Sequence, residues 1–454
     1  MLTLAGCGSS SPSTPAKVNE WTWESGASSI ESHGVYGTLG VAAAGNVPGA
    51  RWSAVSWTDS SGNLWLFGGE GWDSSESGPY LNDLWEFSPA DKEWTWMSGA
   101  NALYSSGVYG TQGVAAPGNV PGARQHASGW IDSSGNLWLF GGLGEDSTRI
   151  GGGLLNDLWE FNPAGKEWTW VSGPNSVGFS GGLLGVYGTQ GVAAPGNVPG
   201  GRNSAVTWTD GSGNLWLFGG YGVDSTGTPG YLNDLWKFNP TGKEWTWVSG
   251  ADVAEAPGVY GTLGVTAAGN VPGGRSDAVS WTDSSGNLWL FGGLGFDSTG
   301  TFGELNDLWE FNPTGKEWTW VSGANKIGSY RGQSGVYGTL GVAAAGNVPG
   351  GRESAAGWID SSGNLWLFGG DEFSDLWKFD PTTKEWMWVS GSNSTGSPGV
   401  YGTLGVAAAG NVPGGRSSAV SWIDGNGNLW LFGGFGVDST GAGGFLNDLW
   451  EYQP

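Results

Sequence analysis

The chain has 454 residues, of which 89 are Gly and 32 are Trp, with only 13% charged and a formal net charge of −24. That much Gly without a G-X-Y period excludes collagen, that much Trp excludes disorder, and the acidic excess repels nucleic-acid phosphates and anionic lipid head groups. A single Cys excludes internal disulfides and all-Cys metal sites, and no apolar run reaches the ~18 residues of a spanning helix.

Residues 1–17 read apart from the rest. Leu4-Ala5-Gly6-Cys7 resembles a bacterial lipobox, whose Cys is lipidated, and residues 8–15 (GSSSPSTP) form a Ser/Pro tether of the flexible kind. The resemblance implies a cell-envelope or extracellular protein whose contact with a membrane is through a lipid on Cys7. The basic and apolar leader that export requires is missing, so the expectation applies to a gene product that begins upstream.

Residues 18–454 are one repetitive domain. A string of the form R-x-x-A-x-x-W-x-D-x-x-G-N-L-W-L-F-G-G, with small changes, occurs six times, led by Arg51, Arg124, Arg202, Arg275, Arg352 and Arg416. D-L-W follows each copy, and a sixfold E-W-x-W precedes the first copy and follows each of the next five links. Thirty of the 32 tryptophans fall in the five resulting columns, with Trp52 and Trp72 outside them. Such self-similarity is the signature of a repeat architecture.

Each repeat predicts four strands. Strand a (53–57 in the first copy) carries small residues, as an innermost strand needs. Strand b (64–67) is apolar on both faces and must be covered on both. Strand c is 83–87. Strand d (93–96) alternates Trp with Glu and Thr, the pattern of a half-exposed strand. Gly, Asn, Asp and Pro mark the a–b and c–d links as turns. No segment has a capped helical period. The reading is all-β: six radial sheets of four antiparallel strands, a six-bladed β-propeller. A lone d string at 20–23 opens the series and a lone c string at 448–452 ends it, so the N-terminal strand is expected to complete the last blade and close the ring.

The paired glycines after strand b, the aromatic on strand c and the Trp on strand d resemble the kelch repeat. They recur at Gly68-Gly69, Gly141-Gly142, Gly219-Gly220, Gly292-Gly293, Gly369-Gly370 and Gly433-Gly434. The sequence departs from that pattern in having Trp on strand c where the family usually has Tyr. It also departs in length, because an insert G-V-Y-G-T-x-G-V-x-A-x-G-N-V-P-G extends each d–a link.

Alternating strand direction puts the d–a and b–c links on one face. These links vary: residues 70–82 in repeat one, 143–156 in repeat two, only 371–374 in repeat five. Variable loops on a fixed scaffold are where recognition sits, and Trp72, Tyr80 and His126 are candidate anchors there. The six arginines, at the start of the innermost strands, are expected to ring the channel mouth on this face as a carboxylate or anion site. The alternative is a scaffold role, with each Arg bonding loop carbonyls or a b–c Asp: Asp73, Asp146, Asp224, Asp297 or Asp438.

The function expected is binding of a protein or glycan, with no nucleic acid, cofactor or metal. Resemblance to copper-radical oxidases of the galactose oxidase type would require a Cys-linked Tyr and two His on copper. Cys7 lies outside the propeller, and His33 and His126 lie in different repeats, which argues against that chemistry. The Asp of G-x-D-S-T reads as a turn cap. Resemblance to sialic-acid epimerases of the kelch class offers a second function, a sugar mutarotase or epimerase built from His126, Asp277, Glu353 and the arginines at the mouth. The unrepeated Trp52, Trp72, His126, Arg149 and Arg331 supply the asymmetry an active site needs.

Overall fold

The computed structural model describes residues 19–75, 77–148, 152–177 and 181–454, and among these there are strands and no helix. Cys7 and Arg149 lie outside the described residues. Every copy of the repeat folds into a small antiparallel sheet in the order a–b–c–d, as in a β-propeller. In repeat one strand b is Leu64–Trp72, strand c Ser77–Ser88 and strand d Glu93–Ser98. Strands b and c continue past the paired glycines into a long hairpin in repeats one, two, four and six. In repeat five they stop at Leu365–Phe368 and Leu376–Asp380.

Strand a departs from the expected single strand. It is split into Arg51–Trp52 and Val55–Thr58 because Ser53 takes a left-handed φ of 54°. The residue two after each arginine does the same, with φ between 52° and 58° at Ser53, His126, Ser204, Asp277, Ser354 and Ser418. This turn sends the N–H of each to the carbonyl of its counterpart in the preceding repeat: Ser53 to Ser418, His126 to Ser53, Ser204 to His126, Asp277 to Ser204, Ser354 to Asp277 and Ser418 to Ser354, at 2.8–3.1 Å. The paired glycines make room for it. A Cβ on Gly69, at φ 99°, would stand 2.6 Å from the Trp52 carbonyl oxygen.

The core lies between neighbouring sheets. Trp57, Trp65 and Phe67 of repeat one pack with Leu137, Leu139, Trp159 and Phe161 of repeat two, and the pattern continues along the chain. Indole N–H groups of strand a cross between sheets, Trp57 to the Trp138 carbonyl and Trp422 to the Trp65 carbonyl. The strand a residues of all six repeats line one cavity of about 410 Å³. The N-terminal strand Glu20–Ser25 pairs antiparallel with Gly443–Gln453, Trp23 opposite Trp450. Trp21 is buried there, against Phe368 and Tyr452.

The insert covers the outer edge of strand d. Gly40 donates its N–H to the Trp96 carbonyl, and the Asn46 amide donates to the Trp94 carbonyl at 3.0 Å. An open strand edge invites pairing with other chains, and a crossing loop removes that option.

Candidate functional site

The six arginines are not at the mouth. Each is 1% exposed, because its guanidinium reaches inward to the Asp of D-L-W on strand c. Arg51 Nη1 and Nη2 donate to Asp83 Oδ1 and Oδ2, both at 2.7 Å. Nε donates to the Gly49 carbonyl and Nη1 also to that of Gly68. The same bidentate pair joins Arg124 to Asp157, Arg202 to Asp234, Arg275 to Asp307, Arg352 to Asp375 and Arg416 to Asp448. Oδ2 of Asp83 also accepts the Tyr36 hydroxyl, from the insert, and the Trp85 indole N–H. The expectation of an anion-binding ring is therefore corrected. Every donor of the fork but one is engaged by buried partners, and at 1% exposure the guanidinium is out of a ligand's reach. The scaffold alternative holds for the loop carbonyls but not for its carboxylate. The b–c aspartates cap their own loops instead: Asp146 Oδ1 accepts from the Thr148 N–H and hydroxyl, and Asp224 Oδ1 from those of Thr226.

Burial alone would lower the pKa of Arg51, but the Asp83 carboxylate outweighs it and raises it. The Tyr36 hydroxyl is pushed far up, by burial first and by Asp83 second. Both groups are locked in one protonation state, which suits a scaffold and not proton transfer.

The d–a and b–c links do share a face. Gly34 donates its N–H to the Asp73 carbonyl, and His33 lies against Trp72 with ring centroids 4.6 Å apart. The Trp72 indole N–H is bonded to the Glu31 carboxylate, and Tyr80 packs edge-on against Tyr104. Trp72 and Tyr80 thus tie the b–c link of repeat one to the d–a links before and after it, and both are half-buried.

His126, Asp277 and Glu353 do come together. His126 Nδ1 is 3.0 Å from Ser204 Oγ and 3.5 Å from Asp277 Oδ1. Serine and aspartate meet the same ring nitrogen, so this is not the relay of a nucleophilic triad, in which they take opposite nitrogens. Burial opposes ionisation of Asp277, but hydrogen bonds from His126 and Ser276 hold its carboxyl below the usual range. Trp52 lies on the other side of His126, packed with Phe435 and Phe445.

Beyond Asp277 the mouth is acidic. The Glu353 N–H donates to Asp371 Oδ2 at 3.0 Å. Arg331 Nη1 stands 3.2 Å from Glu304 Oε1 and 3.8 Å from Asp371 Oδ1. Burial, then Asp277, Asp371 and Glu304, push the Glu353 carboxyl up to about 8, and burial with Asp371 pushes Glu304 up to about 7. Here the short b–c link of repeat five leaves a cavity of about 750 Å³, walled by Glu304, Arg331, Asp371 and Glu372. The short link was legible in the sequence. Glu304 and the neighbouring Tyr231 and Tyr330 were not, because a single Glu or Tyr in a variable loop carries no pattern.

Comparison with known proteins agrees with this geometry. The model of the KLHDC2/KLHL20/DRC7 Kelch-repeats domain matches residues 109–336 and, overlapping, 189–402. Human multiple epidermal growth factor-like domains protein 8 is 25% identical over 237 residues, covering 51% of this chain and 6% of that protein, so the chain spans a small part of the relative's length. With its family match over more than half its length, the chain belongs to the kelch-repeat family of β-propeller proteins.

Proposed function

We propose that residues 18–454 form a six-bladed propeller, closed by the N-terminal strand, that acts as a protein-binding scaffold through the face bearing the d–a and b–c links. The cycle of hydrogen bonds through Ser53, His126, Ser204, Asp277, Ser354 and Ser418 supports the ring, as does the pairing of Glu20–Ser25 with the last strand. The observation that carries the function is asymmetry. On a sixfold scaffold this face differs between repeats, and it alone holds the cavity left by the short link 371–374. A pocket of that size suits a side chain or short segment of a partner.

The test is capture of partners from the native host by the intact chain and by a variant whose link 371–374 is replaced with the hairpin of repeat four. The reading requires specific partners to be lost with the filled cavity. Capture that survives this exchange but is lost when the c–d links of the opposite face are altered would place recognition elsewhere. Binding of oligosaccharides in place of proteins, read on a glycan array, would make the scaffold a lectin. The sugar-isomerase reading keeps the pairing of His126 with Asp277 but loses the arginines. It would be revived by anomer exchange that disappears in His126→Ala. Export with a lipid tether rests on Leu4–Cys7 alone. Its test is mass spectrometry of Cys7 in protein from the native host, where an unmodified Cys7 ends the idea.

A further inference from the structure

The junction of repeats four and five breaks the repeat in one direction only. Glu304 occupies the place held by Tyr80, Leu154, Tyr231 and Phe445 in four other repeats, and by Glu372 in the adjoining repeat five. Glu353 stands where the others have Trp52, Gln125, Asn203, Ser276 or Ser417. Asp371 follows the paired glycines and lines the cavity. Three carboxylates from three strands or links therefore converge on positions that are uncharged in nearly every other repeat. Asp277 and Glu372 add to them, and the arginines that stand against them are Arg331 and Arg352, the second already paired with Asp375.

Aromatic rings border the same sector. Tyr231 and Phe302 lie with centroids 4.8 Å apart, and Phe302 and Tyr330 6.1 Å apart. Tyr330 is 56% exposed and Tyr221, which packs on Tyr231, 38%. Tyr330 is tied to the carboxylates through its carbonyl, which accepts the Glu304 N–H at 2.8 Å.

We propose that this sector is the docking site for a basic segment of a partner protein, with a lysine or arginine side chain seated among Glu304, Glu353 and Asp371 and its stem laid along Tyr231, Phe302 and Tyr330. The proposal rests on the reading of this face as protein-binding and names the chemistry of the partner. Aromatic faces attract cations, and long basic side chains cover apolar surface with their stems. Arg331 demonstrates the fit from within the chain. Its guanidinium reaches Glu304 and Asp371, yet its side chain stays 75% exposed, so it holds the place weakly. The raised Glu353 and Glu304 carboxyls agree, since burial first and the neighbouring carboxylates second keep protons on them. The groups facing them are Asp277, Asp371, Glu372, Arg331, Arg352, Tyr231 and, through Asp277, His126. A metal ion is the poorer occupant, because no three carboxylates or imidazoles among the described residues are close enough to hold one.

The experiment is fluorescence anisotropy of the full chain with a labelled peptide of alternating arginine and glycine, against a matched peptide of glutamate and glycine. The basic probe should bind and the acidic one should not. Neutralising the site as E304Q/E353Q/D371N should weaken the basic probe by about tenfold or more, while E86Q/E310Q, whose carboxylates accept from Asn63 and Asn287 of the a–b links on the opposite face, should leave it unchanged. Arg331→Ala carries the opposite sign, because removing the tethered competitor should tighten binding. The proposal is overturned if the triple variant binds as well as the parent, if the opposite-face variant weakens binding as much, or if Arg331→Ala weakens it. A basic probe indifferent to these residues, with partner capture still lost on filling the cavity, would sink this proposal and leave the scaffold reading intact. Loss of both would remove the two together.

Discussion

Replacing Asp234 by Asn tests whether the arginine column is scaffold or ligand site. Asp234 is fully buried and its two oxygens accept four hydrogen bonds: from Arg202 Nη1 at 2.7 Å, Arg202 Nη2 at 2.8 Å, the Tyr187 hydroxyl at 2.7 Å and the Trp236 indole at 2.7 Å. Asparagine keeps the shape but has one acceptor oxygen. In either orientation its NH₂ faces a guanidinium N–H, donor against donor, and a buried cation is left without its counter-charge. Breaking a buried pair from one side costs roughly 3–5 kcal/mol, and each unsatisfied buried donor adds about 1–3 kcal/mol. By contrast Asp224→Asn, which disturbs a loop cap, should cost only about 1 kcal/mol. Guanidinium denaturation read by tryptophan fluorescence measures both. The cost at Asp234 should be insensitive to salt in thermal melts, because a buried pair is little screened. Replacing the pair together by Arg202→Met with Asp234→Leu should recover part of it. A stable, fully folded Asp234→Asn protein with impaired ligand binding would refute the scaffold assignment.

Trp21→Ala should lower stability by roughly 3–5 kcal/mol, because a large side chain packed against Phe368, Trp450 and Tyr452 is lost. An unchanged thermal midpoint would mean that the pairing of Glu20–Ser25 with the last strand adds nothing. The carboxyls at the mouth give a pH signature. Glu353 holds its proton up to about 8 in the fold but releases it near the ordinary 4.5 when unfolded. The folded state therefore binds more protons between those limits, and stability must fall as pH rises through them. Calorimetry should show the midpoint dropping over that range and a shallower drop in Glu353→Gln; a midpoint that rises would contradict the burial of this group.

The strand order, the four strands of each repeat and the pairing of the first strand with the last were legible because each rests on columns that recur six times. The partner of the arginines was equally recurrent but was read wrongly. The b–c aspartates Asp73, Asp146, Asp224, Asp297 and Asp438 number five and are absent from repeat five, whereas Arg, the Tyr of G-V-Y and the Asp of D-L-W each number six. Equal counts were the available signal. Sequence distance hid it, since Arg51 and Asp83 are 32 residues apart and Arg352 and Asp375 only 23, with the same geometry at both. The split of strand a had no signal, because Ser53 and His126 adopt a backbone that glycine normally marks. The mouth was half legible. His126 stood out as unrepeated, link 371–374 as short, and Asp277 and Glu353 as polar groups for the second function, while Trp72 looked like a free anchor only because its tie to Glu31 crosses from another loop.

The buried pairs also change what the charge of the chain means for binding. With six arginines and six aspartates facing each other inside, 35 acidic and 11 basic residues remain outside these pairs. The remaining balance is more one-sided than the composition, and a field of one sign speeds the approach of an oppositely charged partner without orienting it. Orientation has to come from groups in contact, which at the mouth are Glu304, Glu353, Asp371 and the tyrosines beside them. The two effects act on different rates. Raising the salt should slow association of the basic probe, because it screens the long-range field within about 8 Å at physiological ionic strength. Neutralising Glu304 and Glu353 changes the total charge little but removes contacts, so it should hasten dissociation and leave association nearly unchanged. Surface plasmon resonance on the parent and on E304Q/E353Q separates the two. If the variant alters only association, the acidic mouth is part of a diffuse field and no side chain is seated there.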